Sequence, residues 1–359
     1  MPEGRRFGSV VVALGALLVT AAIASLGLWA GGYDVGEAAG ALVAGSVAGR
    51  EALLSVTLVR AVPLVLTGLA VALAFRAGVW NIGAEGQLYA GALAAVWIGL
   101  HGGDRSAWFL IPSVLIAAGL AGAAWALVPA LMKLWLGVGE VITTILMNFV
   151  GIYTVAYAVH GPLQEARGVF PQTDPIVAGA RLPALVPGTR LHAGFGLAVV
   201  VALGLWAFFR WTRAGFAVRA VGASPSAARI SGRIHDRRVV LWAFLGSGAV
   251  AGLAGGVEVA GVTYALYEGL SPGWGYTAIA VALLAGLHPG AVLVAGVLFG
   301  ALEGGAGAMQ RAAGIPAAWV GAVEALVILA VLAADQAWRR SAALLGPAPE
   351  REPEGGAGA

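Results

Sequence analysis

Residues 78–100 read GVWNIGAEGQLYAGALAAVWIGL. The stretch follows an apolar run that ends at Phe75-Arg76, yet it opens with Asn81, Glu85 and Gln87 among glycines at 78, 83, 86 and 91. A carboxylate and two amides in so apolar a setting are costly unless they face protein or water rather than lipid. Asn81 and Glu85 stand four apart, so a helix puts them on one face. The glycines permit a broken or tightly packed helix, which membranes tolerate only where it is buried or lines a cavity. The stretch reads as a discontinuous segment beside a translocation path, with Asn81, Glu85 and Gln87 as candidates to line it.

The surrounding composition agrees. Hydrophobic residues make up 60% of the chain and charged ones 11%, and the mean hydropathy is +0.88. Those values do not describe a soluble globular domain. Several apolar runs reach the roughly 20 residues that span a bilayer. The fold class is therefore an all-α polytopic membrane protein. The 55 glycines suit close helix contact in lipid. The chain contains no Cys, which excludes disulfides and Cys-ligated metal. A net charge of +3 is too small to suggest nucleic acid.

Charge placement orders the spans. Arg5 and Arg6 precede an apolar run from about 7 to 30, longer than a signal-peptide core, so the expectation is a retained first helix with its N-terminus inside. Residues 31–51 are polar with mixed charge and read as an external segment. A span at about 52–75, carrying Arg60 and Pro63, runs inward to Arg76. The 78–100 segment returns outward, and a span at about 108–132 comes back to Lys133, the only Lys in the chain. In 136–160, Glu140, Thr144 and Asn148 repeat every four residues and share a face. That face either bonds a neighbouring helix or lines the path, and Glu140 and Asn148 join the substrate-path candidates.

Prolines at 162, 171, 175, 183 and 187 make 161–193 an extended external insert. After a span at about 194–211 comes the densest basic run: Arg210, Arg213, Arg219, Arg229, Arg233, Arg237 and Arg238. The positive-inside rule places it in the cytoplasm, and the topology rests on it. A span at about 239–262 carries Glu258, the sixth path candidate. Residues 276–287 and 290–302 read as a hairpin of two pieces, each short of a crossing, before a last helix at about 315–334. That arrangement keeps Arg339 and Arg340 inside. The tail, 346–359, is rich in Pro, Glu and Gly and reads as disordered and cytoplasmic.

Nothing marks an enzyme. No phosphate-binding G-x-x-x-x-G-K-[ST] loop occurs, and the five histidines have no metal-ligand spacing. An intramembrane enzyme built on Glu85, Glu140 and Glu258 stays open only as the alternative from another class, so the expectation is no catalytic residue, no cofactor and no metal. Inside the basic run, 221–234 read VGASPSAARISGRI. Ser224 is a good N-cap, Pro225 suits the first helical position and Gly232 a C-terminal stop. A short capped helix between two spans looks like a docking element for a soluble partner.

Four stretches carry a family resemblance: PLVLTGLAVALAFRAGVWNIGAEGQLYAGALAA at 63–95, GVGEVITTILMNFVGIY at 137–153, FAVRAVGASPSAARISG at 216–232 and SPGWGYTAIAVALLAGLHPGAVLVAGVLFGALEGG at 271–305. With them, about residues 55–335 resemble the ABC-transporter permeases of the branched-chain amino acid, simple-sugar and nucleoside group, most of all the nucleoside (guanosine-type) branch. The resemblance implies a type II-like importer domain of about eight to ten helices over 1–345, some broken or re-entrant. It implies import of nucleosides, with a simple sugar such as ribose as the alternative. The implied partners are ABC ATPase subunits, a second permease subunit, identical or related, and an extracellular or periplasmic substrate-binding protein. The implied location is a bacterial or archaeal plasma (inner) membrane, with both termini cytoplasmic. The same resemblance makes 224–232 the ATPase-coupling helix, with Gly222, Ser224, Pro225, Ala227, Ala228 and Gly232 as its signature. The sequence departs from the family in having Ser224 where Asn is commoner and Arg233 where Ile usually follows the glycine.

Overall fold

A computed structural model describes residues 3–230, 232–316 and scattered positions up to 333. The chain is all-α, as its composition demands. Among the described residues the only β-bridges are two isolated antiparallel ones, Gln172 with Tyr267 and Ala184 with His192. Among the described residues six helical stretches are long and apolar enough to cross a bilayer: Ala52–Arg76, Ala107–Leu136, Glu140–His160, Ala193–Trp211, Asp236–Thr263 and Pro289–Ala313.

In chain order the α-helices are α1 (Glu3–Ala30), α2 (Val35–Ser46), α3 (Leu58–Arg76), α4 (Ala84–Leu100), α5 (Ala107–Leu136) and α6 (Glu140–His160). Then come α7 (Ala193–Trp211), α8 (Arg213–Ala223), α9 (Pro225–Ile230), α10 (Asp236–Glu258), α11 (Trp274–Leu284) and α12 (Pro289–Ala313). One π-helical turn, Ala52–Thr57, leads into α3, and another, Val259–Thr263, continues α10. Helix α3 is the axis, with Ala61 to Ala74 buried throughout. It is flanked by α10, α11, α12 and α7, while α10 also packs along α4 and α5.

Those contacts depend on missing side chains. A Cβ on Gly91 would collide with the backbone of Gly252, and one on Gly252 with the Ala118 carbonyl and with Gly122. Three backbones therefore touch directly at one level of α4, α5 and α10. In lipid, where apolar burial gives helices little reason to associate, such approach supplies the van der Waals attraction.

One segment gains structure that the sequence left open, and one expectation needs correction. Within residues 31–51, Asp34 accepts from the Glu37 N–H at 2.8 Å and caps α2, which lays the fully buried Ala38 inward and packs on α12. Asp34 and Glu37 have capping-box spacing, and the Ala/Gly-rich run behind them needs only α12 to cover it. The second piece of the expected hairpin is not short, since α12 runs for 25 residues. Glu303 and the glycines around it break the hydropathy there, but the Trp274 indole N–H bonds that carboxylate at 3.2 Å, so the helix continues. The first piece, α11, is short as expected, with 11 residues. The last expected span at 315–334 is described in part, its helical residues being 318–319, 321–323, 325–326, 329–330 and 333, while Arg339, Arg340 and the 346–359 tail fall wholly outside the described residues.

The Pro-rich insert holds one short 3-10 turn, Ala178–Ala180, and is otherwise irregular. It lies over one end of the bundle, where Thr173, Ile176 and Leu182 donate backbone N–H groups to the carbonyls of Leu266, Tyr264 and Ala260 at 2.7–2.8 Å. At its end His192 caps α7, Nδ1 accepting from the Gly194 N–H at 3.2 Å, while Nε2 is buried without a partner. Burial, helped by Arg190, pushes this imidazole down to about 4.

Two outcomes follow for purified protein in detergent. Gly252→Val should lower stability by about 1–3 kcal/mol through overpacking. Gly204→Ala, at a site with nothing within 4 Å, should leave the thermal midpoint unchanged or higher. Because the folded His192 resists protonation, the unfolded chain takes up the proton first, and stability falls as pH drops from about 6.5 toward 4. At pH 5 this amounts to about 2 kcal/mol. His192→Asn, which keeps a cap acceptor, should unfold at a midpoint less dependent on pH between 7.5 and 5.

Candidate functional site

The chain unwinds after Arg76, as the glycines suggested, and rewinds at Ala84. Gly78 takes φ +72°, a conformation that glycine adopts without strain. The intervening backbone is tied down by side chains. The Gly83 N–H donates to Asn81 Oδ1 at 3.0 Å, and the Ile82 N–H to Thr144 Oγ1 at 3.3 Å. Asn148 grips both sides of the break: its Oδ1 accepts from the Gly86 N–H at 2.8 Å and its Nδ2 donates to the Ile82 carbonyl at 2.9 Å. The four-residue stripe on α6 thus meets one object, the unwound segment.

Asn81 and Gln87 exchange amide hydrogen bonds, both at 3.1 Å, and Asn81 Nδ2 also donates to Ser247 Oγ at 2.9 Å. Ser247 passes its own proton to the Ala70 carbonyl at 2.7 Å, which ties α10 to α3. Asn81, Glu85, Gln87, Asn148 and Ser247 are all buried. Glu85 looks the other way. Its Oε2 accepts from the Gly275 N–H at 2.6 Å, at the first turn of α11, where the helix dipole favours a carboxylate. Ser271, whose Oγ accepts from the N–H groups of Gly273 and Trp274, also bonds Glu85. A side chain on Gly275 would strike the Glu85 backbone.

Glu140 and Glu258 do not join this cluster. Glu140 pairs with Lys133 across the α5–α6 corner and lies 3.5 Å from the Trp80 N–H. Glu258 is buried at the far end of α10, on the wall of a separate cleft of about 610 Å³. Arg60, Gln172, Arg190, Tyr267 and Trp274 line the same cleft. Arg60 stands 3.8 Å from Glu303, the acceptor of the Trp274 indole. Guanidinium, carboxylate, amide, phenol and indole groups thus converge in a volume suited to a small polar molecule with a flat face. Among the described residues no group of three or more His, Asp or Glu side chains is disposed to hold a metal.

Sequence reasoning did not bring Ser247, Glu303, Tyr267 and Trp274 to a site. Trp274 had a signal in the SPGWG turn; Ser247, in a small-residue run, had none. The cleft and the buried cluster join at α11, whose Trp274 faces one and whose Gly275 N–H holds the other.

At the opposite end of α3, about 28 Å away by helical rise, lies the capped helix α9. Ser224 Oγ accepts from the Ala227 N–H at 3.3 Å, and Gly232 takes φ +67° just past the helix, so both end signals act as the sequence indicated. Ala227 is exposed but Ala228 is buried, which leaves Ser226, Ala227 and Ile230 on the outer surface. Gly222, at the end of α8, rests on the Arg76 carbonyl and against Gly78, where a side chain would not fit. The segment that carries α9 is thereby packed directly on the unwound turn.

Comparison with known proteins places residues 53–332 within the model of the branched-chain amino acid transport system permease component. The chain is 37% identical to a glucose ABC transporter permease of Haloferax volcanii, covering 93% of this chain and 89% of that one. It is 36% identical to a guanosine ABC transporter permease of Bacillus subtilis, covering 91% and 94%. A nucleoside ABC transporter permease of Lactococcus lactis is 32% identical over 74% of this chain and 75% of that one. No solved structure matches significantly.

Asn148→Ala strands a buried N–H and a buried carbonyl, so it should cost about 2–4 kcal/mol. Thr154→Ala, six residues on and bonded only within its own helix, should change stability by less than about 0.5 kcal/mol. Thermal unfolding of the two variants in one detergent checks the difference.

Proposed function

Because the chain belongs to the branched-chain amino acid transport system permease-component family of ABC transporters, we propose that it is the membrane path of an ATP-driven nucleoside importer. It is a multi-pass membrane protein. In this reading the chain itself performs no chemistry; ATP is hydrolysed by separate ATPase subunits docked on α9. A binding protein delivers substrate to the opposite end, and a second permease, identical or related, completes the path. The basic segment 210–238 and both termini face the cytoplasm of a bacterial or archaeal cell.

The observation that carries the reading is the cleft around Glu258. Tyr267 and Trp274 offer aromatic faces to a nucleobase, while Arg60, Arg190, Gln172 and Glu258 offer donors and acceptors to base edges and ribose hydroxyls. A bare sugar would use the polar groups and leave the aromatic faces less fully employed. The glucose permease among the relatives keeps a simple sugar as the second reading.

A continuous set of contacts supports coupling. Movement of α9 reaches the 77–83 turn through Gly222 against Gly78, then Glu85 through α4, then α11 through Gly275, and so Trp274 in the cleft. Within this scheme Asn81, Gln87, Asn148 and Glu140 brace the moving joint. Glu85 links it to α11, and Glu258 is the path candidate exposed to substrate. Such a joint tips between two arrangements rather than flexing continuously.

Cells expressing this chain with its ATPase and binding-protein partners should take up labelled guanosine, with excess glucose or ribose competing weakly. Tyr267→Ala should reduce guanosine uptake by roughly tenfold at matched expression, since stacking on one aromatic ring is worth about 1–3 kcal/mol per base. Glucose uptake without guanosine uptake would replace the substrate by a sugar. Absence of ATP-dependent uptake of either would remove the importer reading. Single cysteines replacing Arg167 and Ser226 should react with an impermeant reagent from opposite faces of the membrane.

A further inference from the structure

Between α7, α8 and α10, at the end of the bundle that carries the basic segment, runs a second crevice of about 580 Å³. Its depth is apolar: Leu73 from α3, Leu205 and Phe208 from α7, and Ala243 and Gly246 from α10. Its mouth carries Arg233, His235 and Arg238, all exposed, and among the described residues no acidic one lines it. The nearest acid in sequence, Asp236, borders a different cavity and is held by Arg229 at 2.6 Å. Trp242, 69% exposed on the crevice wall, has the amphipathic character of residues that anchor at a membrane–water boundary.

We propose that this crevice binds an anionic phospholipid, with its phosphate headgroup at Arg233, His235 and Arg238 and an acyl chain between α7 and α10. Both halves of the profile are needed to select this occupant. A free anion would use the mouth and leave the apolar depth empty. A soluble protein would have to enter a slot whose walls belong to two membrane-crossing helices. A zwitterionic lipid would fill the depth but gain less at a mouth lined by two arginines and, among the described residues, by no acid. Basic pockets between spans on the cytoplasmic side provide this combination for acidic headgroups. The site lies beside α8, so an occupied crevice would fix α8 against α10 next to the Gly222–Gly78 contact.

The test is lipid retention by the purified full-length chain, read by native mass spectrometry after exposure to detergent micelles containing equal phosphatidylglycerol and phosphatidylethanolamine. The natural chain should retain phosphatidylglycerol in preference. The double variant Arg233→Gln/Arg238→Gln should retain it roughly 30-fold less, as expected from about 1 kcal/mol per basic residue. Its retention of phosphatidylethanolamine should not change. Ala214→Trp, which fills the crevice without altering charge, should also lose phosphatidylglycerol, and it decides the matter alone if the double variant does not fold. Excess inorganic phosphate should not displace the lipid. Equal retention of both lipids by the natural chain, or undiminished phosphatidylglycerol in Ala214→Trp, would overturn the proposal. So would loss of ATPase co-purification with lipid retention intact in the double variant, which would give the crevice to the partner subunit.

Discussion

Between Arg76 and Ala84 the backbone leaves helical geometry inside a protein that offers it little water, and each N–H and C=O left open there or in the first turn of α4 needs a partner. Three buried polar side chains meet that need. Asn81 turns back on Gly83, Thr144 reaches Ile82, and Asn148 holds both Ile82 and Gly86. An unsatisfied group at this depth costs several kcal/mol. The break and its side chains therefore stand or fall together. The same amides that resemble a binding site in one dimension are, in three, occupied with one another and with the protein's own backbone.

The close approach of backbones at Gly91, Gly122 and Gly252 serves a second purpose. With α4, α5 and α10 locked at one level, displacement of the 77–83 turn is not absorbed by looseness among the helices beside it. In the proposed cycle the element that moves against this block would be α11, a short helix between the irregular 264–273 segment and the turn before α12. Its N-terminal residues touch both the carboxylate of Glu85 and the wall of the Glu258 cleft. A rigid block against one short, separately hinged helix is the arrangement that two-state domain movements use.

Much of this was legible in the sequence, and the reasons differ by element. The break at 78–83 announced itself because glycines and amides clustered in an apolar run point to little besides an interrupted helix. The stripe Glu140–Thr144–Asn148 was readable from spacing, but its partner was not, since no local rule tells which backbone a face will meet. Helix α2 escaped because its stability comes from α12, more than 240 residues away in sequence. The length of α12 escaped because Glu303 looks like an end signal until Trp274 and Arg60 are placed beside it. The cleft itself gathers Ser55, Gln172, Arg190, Glu258 and Trp274 from distant segments, and no periodicity links them. Ala227 and Ala228 looked equivalent for docking; the helix turn sends one out and the other in.

The amide pair of Asn81 and Gln87, with Ser247, Thr144 and Asn148 around it, holds the joint with dipoles rather than ions. A full charge moved across the bilayer exchanges about 2.3 kcal/mol with the field for every 100 mV. Neutral groups that exchange hydrogen bonds move almost no charge. Apart from Glu85 and the Lys133–Glu140 ion pair, whose charges offset each other, the side chains that hold this joint are neutral. In the proposed importer the joint would therefore respond weakly to the membrane potential, and the work of changing it would come from mechanical contact at the protein's surface.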